Sequence, residues 1–370
     1  MSALVGVLFL SACNTAPDLA SPLPSPADPA SDAPAPPSAV PSATPFKQAA
    51  PRALPKPGNP DGHAPVPAEA GAVDTSRPNR VVGAGTAASC TSDAVVDAVR
   101  DGGIVTFDCG TSPVTITLTS TATVRNASSR LVLDGGGKVT LSGGGKRRIL
   151  YLDTCVKPST SHCQDQNNPS LTLQNLTFVD GDSSGRPDGG GAVFARGGHL
   201  TVINSRFTDN QCDPTGPDLG GAALRVLSQT KPVYVVNSTF TGGRCSNGGA
   251  LSSIGVSWVV LNSVFRDNSA IGRGANPAKA GTPGGGSGGA LYLDGNTFKV
   301  DLAGTLIEKN SAKEGGGAVF FVSNDRTGTL TIKDSTLRSN TSTGFETSGY
   351  PGIFFLGAGK PSVTGSTLKK

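Results

Sequence analysis

Between residues 170 and 340 the chain keeps returning to two short phrases in which apolar and polar positions alternate. The first reads LTLQNLTF (171–178), LTVINSRF (200–207), VYVVNSTF (233–240) and WVVLNSVF (258–265), with weaker copies VDLAGTLI (300–307) and LTIKDSTL (330–337). The second reads GGGAVF (189–194), GGAALR (220–225), GGALSS (248–253), GGALYL (288–293) and GGGAVFF (315–321). Strict alternation is the period of a half-buried strand, and the phrases lack the apolar spacing of a helix. Most copies recur every 25–33 residues, and one interval is stretched by a glycine-rich insert, IGRGANPAKAGTPGGGSG. A period of that size built from short strands predicts an all-β solenoid. Each repeat adds strands to stacked parallel sheets at a spacing of about 4.8 Å.

Stacking puts equivalent side chains on top of one another. Asn175, Asn204, Asn237 and Asn262 are expected to form one internal amide ladder at a bend, and Asn210, Asn268, Asn310 and Asn340 a second. Phe178, Phe207, Phe240 and Phe265 are expected to stack as apolar filling. One helix is predicted, over TSDAVVDAVRDGG (91–103), with Ala94, Val95, Ala98 and Val99 on its apolar face and glycine as its stop. It would cap the open N-terminal end of the solenoid.

Composition changes near residue 80. Residues 14–78 hold 17 of the 28 prolines among Ala and Ser, with almost no aliphatic run. Such a segment buries too little apolar surface to offset its ordering entropy, so 14–79 is expected to be a disordered linker before a domain at 80–370. The net charge of +4 is small and dispersed, which argues against nucleic acid as a partner. Seven cysteines leave six after Cys13, and proximity along the chain favours Cys90 with Cys109, Cys155 with Cys163 and Cys212 with Cys245 among 15 connectivities. No zinc-like spacing competes, and disulfides imply an oxidising compartment.

The N-terminus, MSALVGVLFLSACNTAP, has the length of a signal-peptide apolar region, and Leu10-Ser11-Ala12-Cys13 resembles the lipobox of bacterial lipoproteins. That resemblance implies a signal segment over 1–13, lipidation of Cys13 and a place on the bacterial cell envelope or surface, with the membrane engaged only through the lipid. The absence of Lys or Arg before the apolar run departs from the pattern. Residues 80–370 resemble the pectin-lyase-like superfamily, which implies a single-stranded right-handed parallel β-helix. LDGGGKVTLSGGG (133–145) is similar to an early coil of its polysaccharide-lyase members. The Gly-Gly-Ala phrases, with FTDN (207–210) and FRDN (265–268), resemble the repeats of polymorphic outer-membrane proteins.

The superfamily implies two chemistries. Its lyases hold Ca²⁺ on carboxylates and remove a proton beside a uronate with Arg or Lys; its hydrolases use clustered aspartates. The phrases that carry either mechanism are missing here. A looser constellation remains in loops expected side by side on successive repeats. Asp180, Asp182, Asp188, Asp209, Asp213 and Asp218 are candidate Ca²⁺ ligands, and Arg244 and Arg266 candidate catalytic bases. Tyr292 and Phe320 are candidate sugar-stacking residues, provided the residue after Gly-Gly-Ala points inward; the opposite register would bury them. The function expected is binding or lyase-like processing of an acidic polysaccharide by a monomer, with possible Ca²⁺ dependence. A non-catalytic adhesin or structural solenoid, bound to some other cell-surface ligand, is the alternative.

Overall fold

A computed structural model describes residues 56–156, 163 and 166–370. Cys13, the signal segment and linker residues 14–55 lie outside them. Among the described residues the strands form sheets of seventeen, eight and four, and every pairing between them is parallel. Phe207 sits opposite Phe178 on one side and Phe240 on the other, and Leu224 sits between Val193 and Leu251. The chain is therefore all-β, with stacked parallel sheets consistent with a β-helix-like winding. Among the described residues, antiparallel bridges occur only within the glycine-rich insert, where Arg273 faces Gly284 and Ala275 faces Gly285.

The repeated phrase N-S-x-F-x-D-N reads as a set of backbone and side-chain positions. The seventeen-stranded sheet contains two ladders meeting at a corner, and Ser170–Val179 runs through both. The corner residue is left-handed in successive repeats: Asn175 (φ 54°), Asn204 (48°), Asn237 (47°), Asn262 (50°), Gly304 (60°) and Asp334 (47°). Asn, Asp and Gly are the residues that enter this region with least penalty. These four asparagines were expected to line the interior. Instead the corner turns their amides outward, where only Asn175 and Asn204 bond to each other, at 3.2 Å.

The following serine takes the interior position. Ser205, Ser238 and Ser263 are fully buried. Each hydroxyl donates to the carbonyl two residues earlier, at 2.8–2.9 Å. Ser238 and Ser263 also accept the backbone N–H of the serine one repeat before, at 3.1 Å. A buried corner thereby keeps its backbone polar groups satisfied.

The second asparagine ladder forms over three of its four expected members, with Asn210 bonded instead to the Gly181 N–H and the Phe178 carbonyl. Asn268 donates to Asn310 at 2.9 Å, and Asn310 donates to Asn340 at 2.8 Å, while the same amides cap the carbonyls of Phe240, Phe265 and Ile307. Gly243 stands in this ladder between Asn210 and Asn268, its N–H bonded to Asn268. The phenylalanines stack with ring centroids 4.7–4.8 Å apart, a geometry worth about 0.5–1.5 kcal/mol per pair beyond burial. Gly-Gly marks the tight approach before the eight-stranded sheet: Gly288 has φ 72°, and a Cβ on Gly289 would collide with the Gly317 carbonyl.

Helix Ser92–Asp101 forms where expected. Thr91 caps it, Gly102 ends it, and Val95, Ala98 and Val99 are buried against the core. All three cysteine pairs bridge as proximity suggested, with Cα atoms 5.7, 4.8 and 4.8 Å apart.

Residues 56–79, placed with the linker in the sequence reading, are laid along the sheet as a strap. The outer face of the first ladder carries an apolar row of Ile203, Val236 and Leu261, and Ala64 and Ala70 of the strap cover it. Asn262 anchors the strap through its amide, accepting from the Ala64 N–H at 2.7 Å and donating to the Ala64 carbonyl at 2.9 Å. Asn59 spans Asn262 and Gly304, and Val73 pairs with Gln174. Small residues and prolines suit a strap that must lie flat without a ladder of its own.

Two outcomes follow from this packing. Asn310→Ala strands the Phe265 carbonyl and the donors of Asn268, and should lower stability by about 3 kcal/mol in urea denaturation; a loss below about 0.5 kcal/mol would contradict the ladder. Asn262→Ala should make residues 56–66 the first site of limited proteolysis while the rest of the domain resists.

Candidate functional site

The strap and the outer face of the second ladder enclose a cleft of about 980 Å³. In each strand of that ladder the phenylalanine position points inward and its neighbours point out. The outward positions carry Arg206, Thr239, Val264 and Leu306 in one row, and Thr208, Thr241, Arg266, Glu308 and Arg338 in the next. Arg206, Arg266 and Arg338 all line the cleft, together with the outward amides of Asn175, Asn204 and Asn237 and strap residues Lys56 and Asp61.

The three arginines are not equivalent. Glu308 is buried between two of them, 2.6 Å from Arg266 and 2.7 Å from Arg338. Burial pushes the Glu308 carboxyl up, but the Arg338 hydrogen bond and the charge of Arg266 outweigh it and hold the group below its usual range. Arg206 is half-buried and has no carboxylate partner among the described residues. Burial alone acts on its guanidinium and lowers its pKa. An arginine remains charged under such a shift, so the cleft holds an unneutralised cation with a fork of free donors.

The loops singled out in the sequence do stack side by side: Asp182 bridges to Gln211, and Gln211 to Arg244. Their carboxylates nevertheless do not converge. Asp180 (φ 53°) and Asp209 (φ 52°) are left-handed corner residues exposed on the outside. Asp182 accepts from Ser184 and Gln211, and Asp213 from the Gly185 N–H. Asp188 pairs with buried Arg148, whose guanidinium lies over the Tyr151 and Phe194 rings. Asp218 accepts from Asn276 at 2.6 Å. Among the described residues no group of three His, Cys, Asp or Glu is placed to hold a metal ion. The six aspartates thus serve corners and loop closures, as their spacing in a corner-forming repeat demands. Arg244 is exposed and stands apart from the cleft, whereas Arg266 lines it.

Tyr292 and Phe320 require a correction. Val193, Leu291, Val319 and Ile353 fill the core, so the aromatic row does occupy the outer face. Loops cover it, leaving Tyr292 at 0% and Phe320 at 3% exposure, too little for a sugar ring to stack on either. The two rings stack on each other at 4.9 Å, and Phe345 closes over Phe320 and Phe354. The Asn276 amide, from the insert, donates to Tyr292 at 2.9 Å and reaches Asp294 at 3.3 Å beside a smaller cleft of about 540 Å³. There burial raises the Asp294 carboxyl.

Arg206 and Arg338, which the sequence reading passed over, carry the cleft. Their only signal was position, one residue before and one residue after the ends of strand phrases whose outward face could not be known in advance. No family model, curated protein or solved structure matches this chain.

The arginine clamp sets a pH dependence. Because the folded pKa of Glu308 lies below its model-compound value of 4.5, its stabilisation is present above that value and lost as pH falls through the lowered pKa. Glu308→Gln should therefore be less stable than wild type at pH 7, with the gap narrowing at pH 3 in urea titrations. A gap unchanged across that range would refute the clamp.

Proposed function

We propose that this protein is an exported, lipid-anchored β-helix of the right-handed, pectin-lyase-like kind that binds an acidic polysaccharide in the arginine cleft. The observation that carries this reading is Arg206, a half-buried guanidinium that lines the cleft and has no carboxylate partner among the described residues. A sugar carboxylate satisfies such a fork in bidentate fashion, and partial burial strengthens the bond relative to the open surface. The outward amides of Asn204 and Asn237 add hydroxyl-binding partners along the same wall.

Export is supported by the lipobox-like Leu10–Cys13, the proline-rich stretch behind it and the three disulfides. Binding is favoured over turnover. Glu308 is held by two arginines and is not free to take a proton, and the candidate Ca²⁺ ligands are engaged elsewhere. The adhesin alternative draws on the repeats, on the missing catalytic phrases and on the burial of Tyr292 and Phe320; the open cleft around Arg206 favours the polysaccharide reading.

The test uses the full chain with Cys13→Ser, so that no lipid is attached. In affinity electrophoresis through polyuronate gels it should be retarded, with retardation falling steeply as salt rises. Arg206→Ala should weaken binding about tenfold or more, as loss of a charge-assisted hydrogen bond implies. No retardation at low salt would leave the adhesin reading in its place.

A further inference from the structure

The arginines of the cleft recur with a period, and the period describes the ligand. Arg206, Arg266 and Arg338 lie on strands Arg206–Thr208, Val264–Arg266 and Thr336–Arg338. Strand Thr239–Thr241 lies between the first two, and Leu306–Glu308 between the last two. Within the cleft, cations therefore appear on every second strand, about 9.6 Å apart along the stack, or two strand spacings, with Arg206 in the first outward row and Arg266 and Arg338 in the second; Lys369, on the strand after Arg338, lies beyond the cleft. The skipped strands carry no cation in either outward row. Thr239 and Thr241 occupy one, and Leu306 and Glu308 the other.

An extended pyranose chain lying along the stack advances by about one sugar per strand. We infer that the cleft is matched to an acidic polymer with one carboxylate per disaccharide, uronate alternating with a neutral sugar. This rests on the acidic-polysaccharide reading above and specifies it. A carboxylate on every sugar facing the cleft would put one against Glu308, whose own charge already occupies the space between Arg266 and Arg338. A neutral sugar there meets no such repulsion. At the other skipped strand it meets the Asn237 amide, which makes no side-chain hydrogen bond among the described residues. Arg266 and Arg338 each retain donors beyond those spent on Glu308, since a guanidinium carries five.

The experiment compares four polymers of matched length, using the full chain with Cys13→Ser at physiological salt. Hyaluronate alternates glucuronate with an N-acetylated sugar; polygalacturonate and polyguluronate carry a carboxylate on every sugar; dextran sulfate is a dense polyanion without carboxylates. Hyaluronate should bind at least about tenfold more tightly than the other three. Arg206→Gln, Arg266→Gln and Arg338→Gln should each weaken it. Thr241→Arg, which puts a cation on a skipped strand, should shift preference toward polygalacturonate, a gain that misfolding cannot mimic. Equal or tighter binding of polygalacturonate, polyguluronate or dextran sulfate would overturn the alternating-charge inference and leave acidic-polymer binding standing. An unchanged preference in Thr241→Arg would also overturn it. Binding to none of the four would remove the underlying reading as well.

Discussion

In-register parallel pairing sets each side chain about one strand spacing from its counterpart in the next repeat, on the same face and in the same direction. Whatever stands at one position must therefore be able to stack on itself. Phenylalanine does so through offset rings, and asparagine through an amide that both donates and accepts. Serine does so by passing one hydroxyl between two backbone groups. A charge inside could not, because like charges would lie within a few ångströms at low dielectric. The buried ladders accordingly consist of Phe178–Phe265, Asn268–Asn340 and Ser205–Ser263, while ionised groups are confined to the outer face.

The same rule governs the outer face with opposite consequences. Along the second ladder, Arg266 and Arg338 are kept apart by Glu308, which satisfies both and holds them in place. Arg206 has polar threonines for neighbours instead, and no carboxylate partner among the described residues. Along the first ladder the outward row is apolar, and the strap covers it with small side chains. Along the eight-stranded sheet the outward row is mostly aromatic, with Arg225 and Ser252 between Phe194 and Tyr292, and loops cover it. Two of these outward rows are thus closed by the chain itself, whereas the rows with Arg206, Arg266 and Arg338 line the cleft.

Coverage also explains why the candidate site moved. The loops rich in aspartate are attached to corners, and a corner needs a residue that tolerates positive φ. Asp180 and Asp209 meet a backbone requirement. Tyr292 and Phe320 point outward, yet burial depends on residues of the insert and of the segment around Phe345, distant in sequence. Glu308 and Arg338 are thirty residues apart and meet only because two strands pair in register.

Local pattern determined much of this protein. The repeat period, parallel stacking, the phenylalanine and second asparagine ladders, the capping helix and the cysteine pairs all follow from neighbours along the chain or one period away. That information is periodic, and periodicity is visible without coordinates. Which asparagine faces inward was decided by backbone handedness at the corner. Whether residues 56–79 hang free was decided by an apolar row that exists only once three strands align. The cleft, too, arises from tertiary structure, because it needs a strap and a ladder brought together from segments about 150 residues apart. A linear pattern records what each residue can do; which residues share an open face depends on how the winding covers the others.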